Sequence, residues 1–234
     1  MYAEGVPCWV DAQLPDLDAG RRFYGELFGW TFEDAYGGSV WARLDGEPVA
    51  ALAHKADGRM PTVWTVYFAA PDIEATARRV LAAGGQVVMA PLRVARLGVA
   101  ALVTDPENAV FGLWQADTHP GFGRRRAPGA FTWAQLYTRD TERANAFYGD
   151  LFHDALFGPD ADPDFGRAPV SDVFPAEMPP HFVVHFQVAD CGAALDTVIR
   201  LGGRVRAGPF TASYGTVAVV SDNQGASFAL LERH

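Results

Sequence analysis

The sequence predicts an α+β protein of four βαβββ modules arranged as two tandem pairs. Two duplicated motifs and a strand–helix alternation that runs twice in each half carry that prediction. Phe23-Tyr24-Gly25-Glu26-Leu27-Phe28 returns 124 residues later as Phe147-Tyr148-Gly149-Asp150-Leu151-Phe152. Gly84-Gly85-Gln86-Val87 returns 118 residues later as Gly202-Gly203-Arg204-Val205, and Asp72 and Pro91 recur at the same spacing as Asp190 and Pro209. Asp105-Pro106-Glu107-Asn108 corresponds to Asp222-Asn223-Gln224-Gly225. Self-similarity at a fixed period marks a repeat architecture. The halves are predicted as domains over residues 1–118 and 128–234. Between them lies a Gly-, Pro- and Arg-rich stretch with the composition of an exposed linker.

The first module opens with an apolar strand over residues 8–14. Asp16 is a candidate N-cap, and Leu17, Phe23, Leu27 and Phe28 follow at near-helical spacing, so a helix is predicted over 17–28. Strands follow at 31–36, 40–44 and 48–54. The second module repeats that order. A strand at 63–69 leads through Asp72 into a helix over 73–83. Gly84 supplies a left-handed stop, and strands follow at 86–90, 99–104 and 110–115. These runs are rich in Val, Phe and Trp, which suit a pleated surface. The third module departs from the pattern. Residues 157–180 hold six prolines and few β-formers, so shortened strands and a mobile loop around residues 159–169 are expected.

Composition excludes several function classes. With 19 basic against 28 acidic residues and a net charge of −9, nucleic acid is not an expected partner. No stretch approaches the roughly 20 apolar residues of a membrane span. The first residues lack the charged and apolar regions of a signal peptide, so a cytoplasmic location is expected. Cys8 and Cys191 lack CxxC spacing, which argues against a disulfide framework or thiolate zinc site. Six Trp and 16 Phe have to fill a core or line a pocket.

The FYxxLFGW helix end, the AAGGxV turn, the DPxxxxFxLW final strand and the four modules resemble the vicinal oxygen chelate superfamily. That superfamily includes glyoxalase I, bleomycin-resistance proteins and extradiol dioxygenases. The resemblance spans nearly the whole chain and is nearest to a two-domain glyoxalase-like branch. It implies two glyoxalase-like domains, each a curled mixed sheet around a cleft. It also implies a metal held by His or Glu on the first and last strands of a module. Mapped by spacing, those positions hold Trp9, Thr65, Gly112, Trp133, Val183 and Ala229. None of these side chains coordinates a divalent ion in the manner of His, carboxylate or thiolate. No metal and no other cofactor is therefore expected, and a hydrophobic floor stands in the metal's place.

Strand periodicity puts Trp9 and Asp11 on one face, and Trp133, Gln135 and Tyr137 on the equivalent face of the second half. Tyr67 matches His185, and Ala69 matches Gln187. Such faces join aromatic walls to a few polar groups, the make-up of a small-molecule pocket; a filled core is the alternative. His185 is the catalytic candidate: a general base, a ligand hydrogen-bond partner or a relocated metal ligand, against a satisfied core histidine. Asp11 either binds ligand hydroxyls or pairs with an arginine such as Arg43, and His54 is its other conceivable partner. Gln135, His185 and Glu232 form the one conceivable relocated metal set. His119, His153, His181 and His234 are expected at the surface.

The expected function is recognition of a small apolar or aromatic ligand without a metal, in sequestration, resistance or secondary metabolism. Two alternatives remain open. One is a divalent-metal lyase, isomerase or dioxygenase with a non-standard site. The other is a metal-free acid–base enzyme using His185. The expected partner is the small molecule alone, on a monomer or homodimer.

Overall fold

Four aspartates set the starts of the four helices. The side chains of Asp16, Asp72, Asp140 and Asp190 accept the backbone N–H groups of Ala19, Ala75, Arg143 and Ala193 at 2.9–3.0 Å. This satisfies donors that a helix start leaves unpaired. They open α1 (Leu17–Phe28), α2 (Ile73–Ala82), α3 (Thr141–Phe157) and α4 (Cys191–Arg200). The computed structural model describes all residues, Met1–His234, and adds fourteen strands.

The first module holds β1 (Pro7–Leu14), β2 (Thr31–Asp34), β3 (Val40–Leu44) and β4 (Glu47–His54), and the second holds β5 (Trp64–Ala69), β6 (Gln86–Val94), β7 (Gly98–Thr104) and β8 (Val110–Ala116). The third contributes β9 (Phe131–Thr138) and β10 (Phe165–Pro169), and the fourth β11 (His181–Gln187), β12 (Arg204–Ala212), β13 (Gly215–Ser221) and β14 (Ser227–Arg233). The strands form two mixed sheets, in the orders β2-β3-β4-β1-β5-β8-β7-β6 and β10-β9-β11-β14-β13-β12. In every module the first strand pairs in parallel with the last: β1 with β4, β5 with β8, β9 with β10 and β11 with β14. The intervening helix supplies the crossover that a parallel pair requires.

The third module corrects part of the expectation of a loop around residues 159–169: residues 159–164 hold no helix or strand, whereas the rest is a short strand. Phe165–Pro169 is a strand paired to β9. Parallel pairing uses the backbone, and the ring of Phe165, 1% exposed, anchors the segment against Phe68 and Tyr148. Only β2 and β3 have no counterpart there. The helix also runs on. α1 stops at Gly29, whose φ of +72° is the left-handed conformation glycine adopts without strain. The matching residue is His153, and α3 continues past a distortion at Phe152 to Phe157.

The chain divides into two compact units, one drawn mainly from the second and third modules and the other mainly from the first and fourth. One comprises Met1–Trp9, Thr65–Gly121 and Ala134–Phe182, the other Val10–Trp64, Phe122–Trp133 and Val183–His234. Most of the aromatic excess packs between helix and sheet within a unit. In the first, Phe68 stacks on Phe152 at 5.4 Å and meets Phe111 and Phe182 edge-on. In the second, Tyr24, Trp30, Trp64, Phe186 and Phe228 form the corresponding cluster.

The duplicated Phe-Tyr motif and the Asp105/Asp222 turn motif meet in one buried contact per unit. Tyr24 Oη donates to Asp222 Oδ2 at 2.6 Å, and Tyr148 Oη donates to Asp105 Oδ2 at 3.0 Å. The other oxygen of each aspartate accepts two backbone N–H groups of its own turn, Gln224 and Ala226 or Glu107 and Ala109. Burial pushes both tyrosines well above the usual phenol range, and the adjacent carboxylate adds to the shift. No helix is long and apolar enough to cross a membrane.

Candidate functional site

The residues singled out by sequence fall into two groups, one in each unit. In the first unit, Tyr67 on β5 lies in register with Gly112 on β8. Its ring covers that glycine: a Cβ at position 112 would sit 2.2 Å from Tyr67 Cδ1. Trp9 is buried and meets the ring of His119 edge-on at 4.3 Å. His119 corrects its surface expectation, being 5% exposed. Its N–H donates to Leu97 O, and its carbonyl accepts Trp114 Nε1 at 2.9 Å. A residue read as linker is thus held by strand-end and tryptophan partners that local sequence does not reveal.

On β9 of the same unit, Gln135 is buried and donates weakly to Leu136 O at 3.4 Å. Tyr137 is buried and meets Phe174 edge-on at 5.0 Å, with His181 at 5.8 Å. His181 also corrects its surface expectation. It is half-buried at the start of β11, Nδ1 donates to Pro179 O at 2.8 Å, and burial lowers its pKa. Phe174 was not foreseen, because it lies in the proline-rich stretch without strand or helix periodicity.

In the second unit, Asp11 is half-buried on β1, in register with Ala51. Arg43, its suggested partner, is held instead by Glu33 Oε1 at 2.6 Å and Gly46 O at 2.8 Å. Glu33 is nearest because β2 pairs antiparallel with β3, with Thr31 opposite Arg43. His54 lies three residues beyond Ala51 on β4 and therefore faces the other side of the sheet. Trp30 and Trp64 belong to the core, while Trp41 is half-buried beneath the Arg43 guanidinium at 5.8 Å.

Trp133 is half-buried and stacks on Tyr214 at 6.5 Å, 27° between planes. Tyr214 sits in the turn between β12 and β13, where no sequence period marks it. His185 on β11 is 1% exposed and in register with Ala229. Its hydrogen bond is from Nδ1 to Val183 O, 3.1 Å. Burial lowers its pKa to about 4, and the positive Arg233 acts in the same direction. Gln187 is half-buried, and its Oε1 is a buried atom with no hydrogen-bond partner. A cavity of about 350 Å³ in this unit is lined by Leu27, Phe28, Pro128, Asp190 and neighbours of α4, and by none of the residues above.

The residues at the inferred ligand positions do not fit a metal. Trp9, Thr65, Gly112, Trp133, Val183 and Ala229 offer no His, carboxylate or thiolate donor. Gly112 is roofed by a phenol ring, and Ala229 is fully buried. Glu232, suggested as a relocated ligand, accepts the Cys191 N–H at 2.7 Å. It lies three positions after Ala229 on β14, so alternation turns it away from His185. No group of three or more His, Cys, Asp or Glu side chains converges.

Comparison with known proteins gives concordant matches. The family model of the Glyoxalase/Bleomycin resistance protein/Dioxygenase superfamily matches residues 9–113. CFP32 of Mycobacterium tuberculosis (strain CDC 1551 / Oshkosh), provisionally named a glyoxylase, is 36% identical, covering 99% of this chain and 96% of that protein. The anthracycline biosynthesis protein DauV of Streptomyces sp. (strain C5) is 34% identical, covering 99% and 94%. Among solved structures, the 2,3-dioxygenase LapB from Pseudomonas sp. KL28 aligns with a TM-score of 0.66 at 16% identity, covering 99% of this chain and 93% of that one. The Mn(II)-bound glyoxalase from Novosphingobium aromaticivorans aligns at 0.64 and 17%, covering 99% and 84%. At such identities the two structures establish the fold.

Proposed function

Because this chain belongs to the glyoxalase/bleomycin resistance protein/dioxygenase superfamily, we propose that it recognises a small fused-ring aromatic molecule without the divalent metal that its fold commonly holds. One observation carries this reading: where a metal ligand would project, Gly112 lies beneath the ring of Tyr67. A carboxylate there would have to displace the phenol. The relatives support the ligand class. DauV and DnrV of Streptomyces peucetius are named for anthracycline biosynthesis, and anthracyclines are fused-ring aromatic compounds.

Each unit taken alone offers the needed chemistry. In one, Trp9 and Tyr67 supply rings, and Gln135 and Tyr137 supply polar ends. In the other, Trp133 supplies a ring, and Asp11, His185 and Gln187 supply polar atoms. Aromatic faces favour offset or edge-on contact with a flat ligand, at about 0.5–1.5 kcal/mol per ring pair beyond burial. A few placed polar groups then fix its orientation.

The test is a titration. Protein exposed to Mn²⁺, Fe²⁺, Ni²⁺ and Zn²⁺ and then desalted is expected to retain far less than one equivalent of metal by mass spectrometry. It is expected to bind 2,7-dihydroxynaphthalene, followed by calorimetry, equally with and without chelator. Stoichiometric metal together with chelator-sensitive binding would overturn the reading.

A further inference from the structure

We infer that the second unit selects ligands through hydrogen-bond donors they carry, in the form of neutral hydroxyl groups, because β11 offers two acceptors there. The inference rests on the proposed recognition of an aromatic ligand and names the chemistry of that recognition.

His185 supplies the first acceptor. A carbonyl oxygen only accepts, so the 3.1 Å contact with Val183 O places the ring proton on Nδ1. Nε2 is then a lone pair. At 1% exposure the imidazole stays neutral, so Nε2 has no proton to donate. Arg233, the nearby cation, directs its guanidinium to Thr132, with Nη2 and Nε at 2.8 and 3.0 Å from Oγ1. Gln187 supplies the second acceptor through Oε1, buried and without a donor. Buried polar atoms are nearly always hydrogen-bonded, so an acceptor left open points to a donor from outside the chain.

Period two puts both residues on the same face of β11, with Cα atoms about 6.5 Å apart. Their register partners Ala229 and Leu231 are apolar and buried. The arrangement suits a flat apolar skeleton bearing two hydroxyls on different rings. A keto or ether oxygen at either place would face a lone pair.

The experiment compares 2,7-dihydroxynaphthalene with 2,7-dimethoxynaphthalene by calorimetry at pH 7, on the full chain. The diol is expected to bind at least tenfold more tightly. His185→Phe, which removes the acceptor and keeps a ring, is expected to erase most of that preference with little change in ether affinity. Should His185→Phe fail to fold, His185→Gln, which retains an acceptor oxygen, is expected to keep the preference. Gln187→Leu is expected to reduce it. Equal binding of diol and ether to the wild type would overturn the inference and leave aromatic recognition standing. A preference unchanged in both His185→Phe and Gln187→Leu would overturn it as well. Binding of neither compound would overturn the recognition itself, and the inference with it.

Discussion

At position 185 a histidine is buried in a strand and left uncharged. The usual histidine pKa is about 6.5, and burial takes His185 to about 4. Between those values the unfolded chain binds a proton that the folded one refuses. Stability therefore falls as pH drops from 6.5 toward 4, by up to about 3 kcal/mol from this residue alone. Urea unfolding at pH 7 and pH 5 is expected to show wild type losing stability that His185→Gln keeps. Equal losses in both would place the proton uptake elsewhere. Gly112 gives a second residue-scale outcome. Gly112→Ala puts a methyl against the Tyr67 ring and is expected to cost about 1–3 kcal/mol through forced displacement. Tyr67→Ala in the same chain is expected to relieve that clash. Sequence spacing identified both positions, since position in a repeat is a local property. It misassigned His119 and His181, because their burial depends on Leu97, Trp114, Tyr137 and Phe174.

Among elements, the paired helices and turns differ in how firmly they are latched. Tyr24 Oη donates to Asp222 and also accepts Trp64 Nε1 at 3.0 Å. Tyr148 has only Asp105 of this pair of contacts, because the residue matching Trp64 is Phe182. Tyr24→Phe leaves two buried partners unsatisfied, and Tyr148→Phe leaves one. Losses of about 2–4 and about 1–2 kcal/mol are expected in denaturant titrations. The order of the two matters more than the values, and reversal would refute the account. Helix ends follow the same local logic. A Cβ on Gly29 would meet nothing within 4 Å, so Gly29→Ala is expected to cost about 1–2 kcal/mol from left-handed strain alone. The cap at Asp16 and the stop at Gly84 were legible in sequence, because each acts within one turn. β10 was not, since a strand of Phe, Gly, Arg, Ala and Pro has little intrinsic preference and owes its form to β9 and to the pocket that takes Phe165.

Across the whole molecule, duplication made the fold legible while leaving the ligand out of reach. Repeated motifs report on helix ends, turns and latches, which every copy needs. The polar atoms that would meet a ligand differ from copy to copy, as Tyr67 and His185 do at matching positions, and so carry no repeat signal. The division of the chain has a further consequence, for its synthesis. A ribosome finishes residues 65–182 while residues 10–64 still await Asp222, Phe228 and the rest of the final module. One unit closes on nearly contiguous chain. The other holds its first-made module open across 198 residues of separation between Tyr24 and its aspartate, a loop closure that costs entropy and delays folding. Nascent chains stalled after residue 222, with the last few tens of residues still in the exit tunnel, are expected to resist protease over residues 65–182 and to be cut readily within 10–64. Of the four modules, the one made first is the one that must wait longest, exposed, for the partner that is made last.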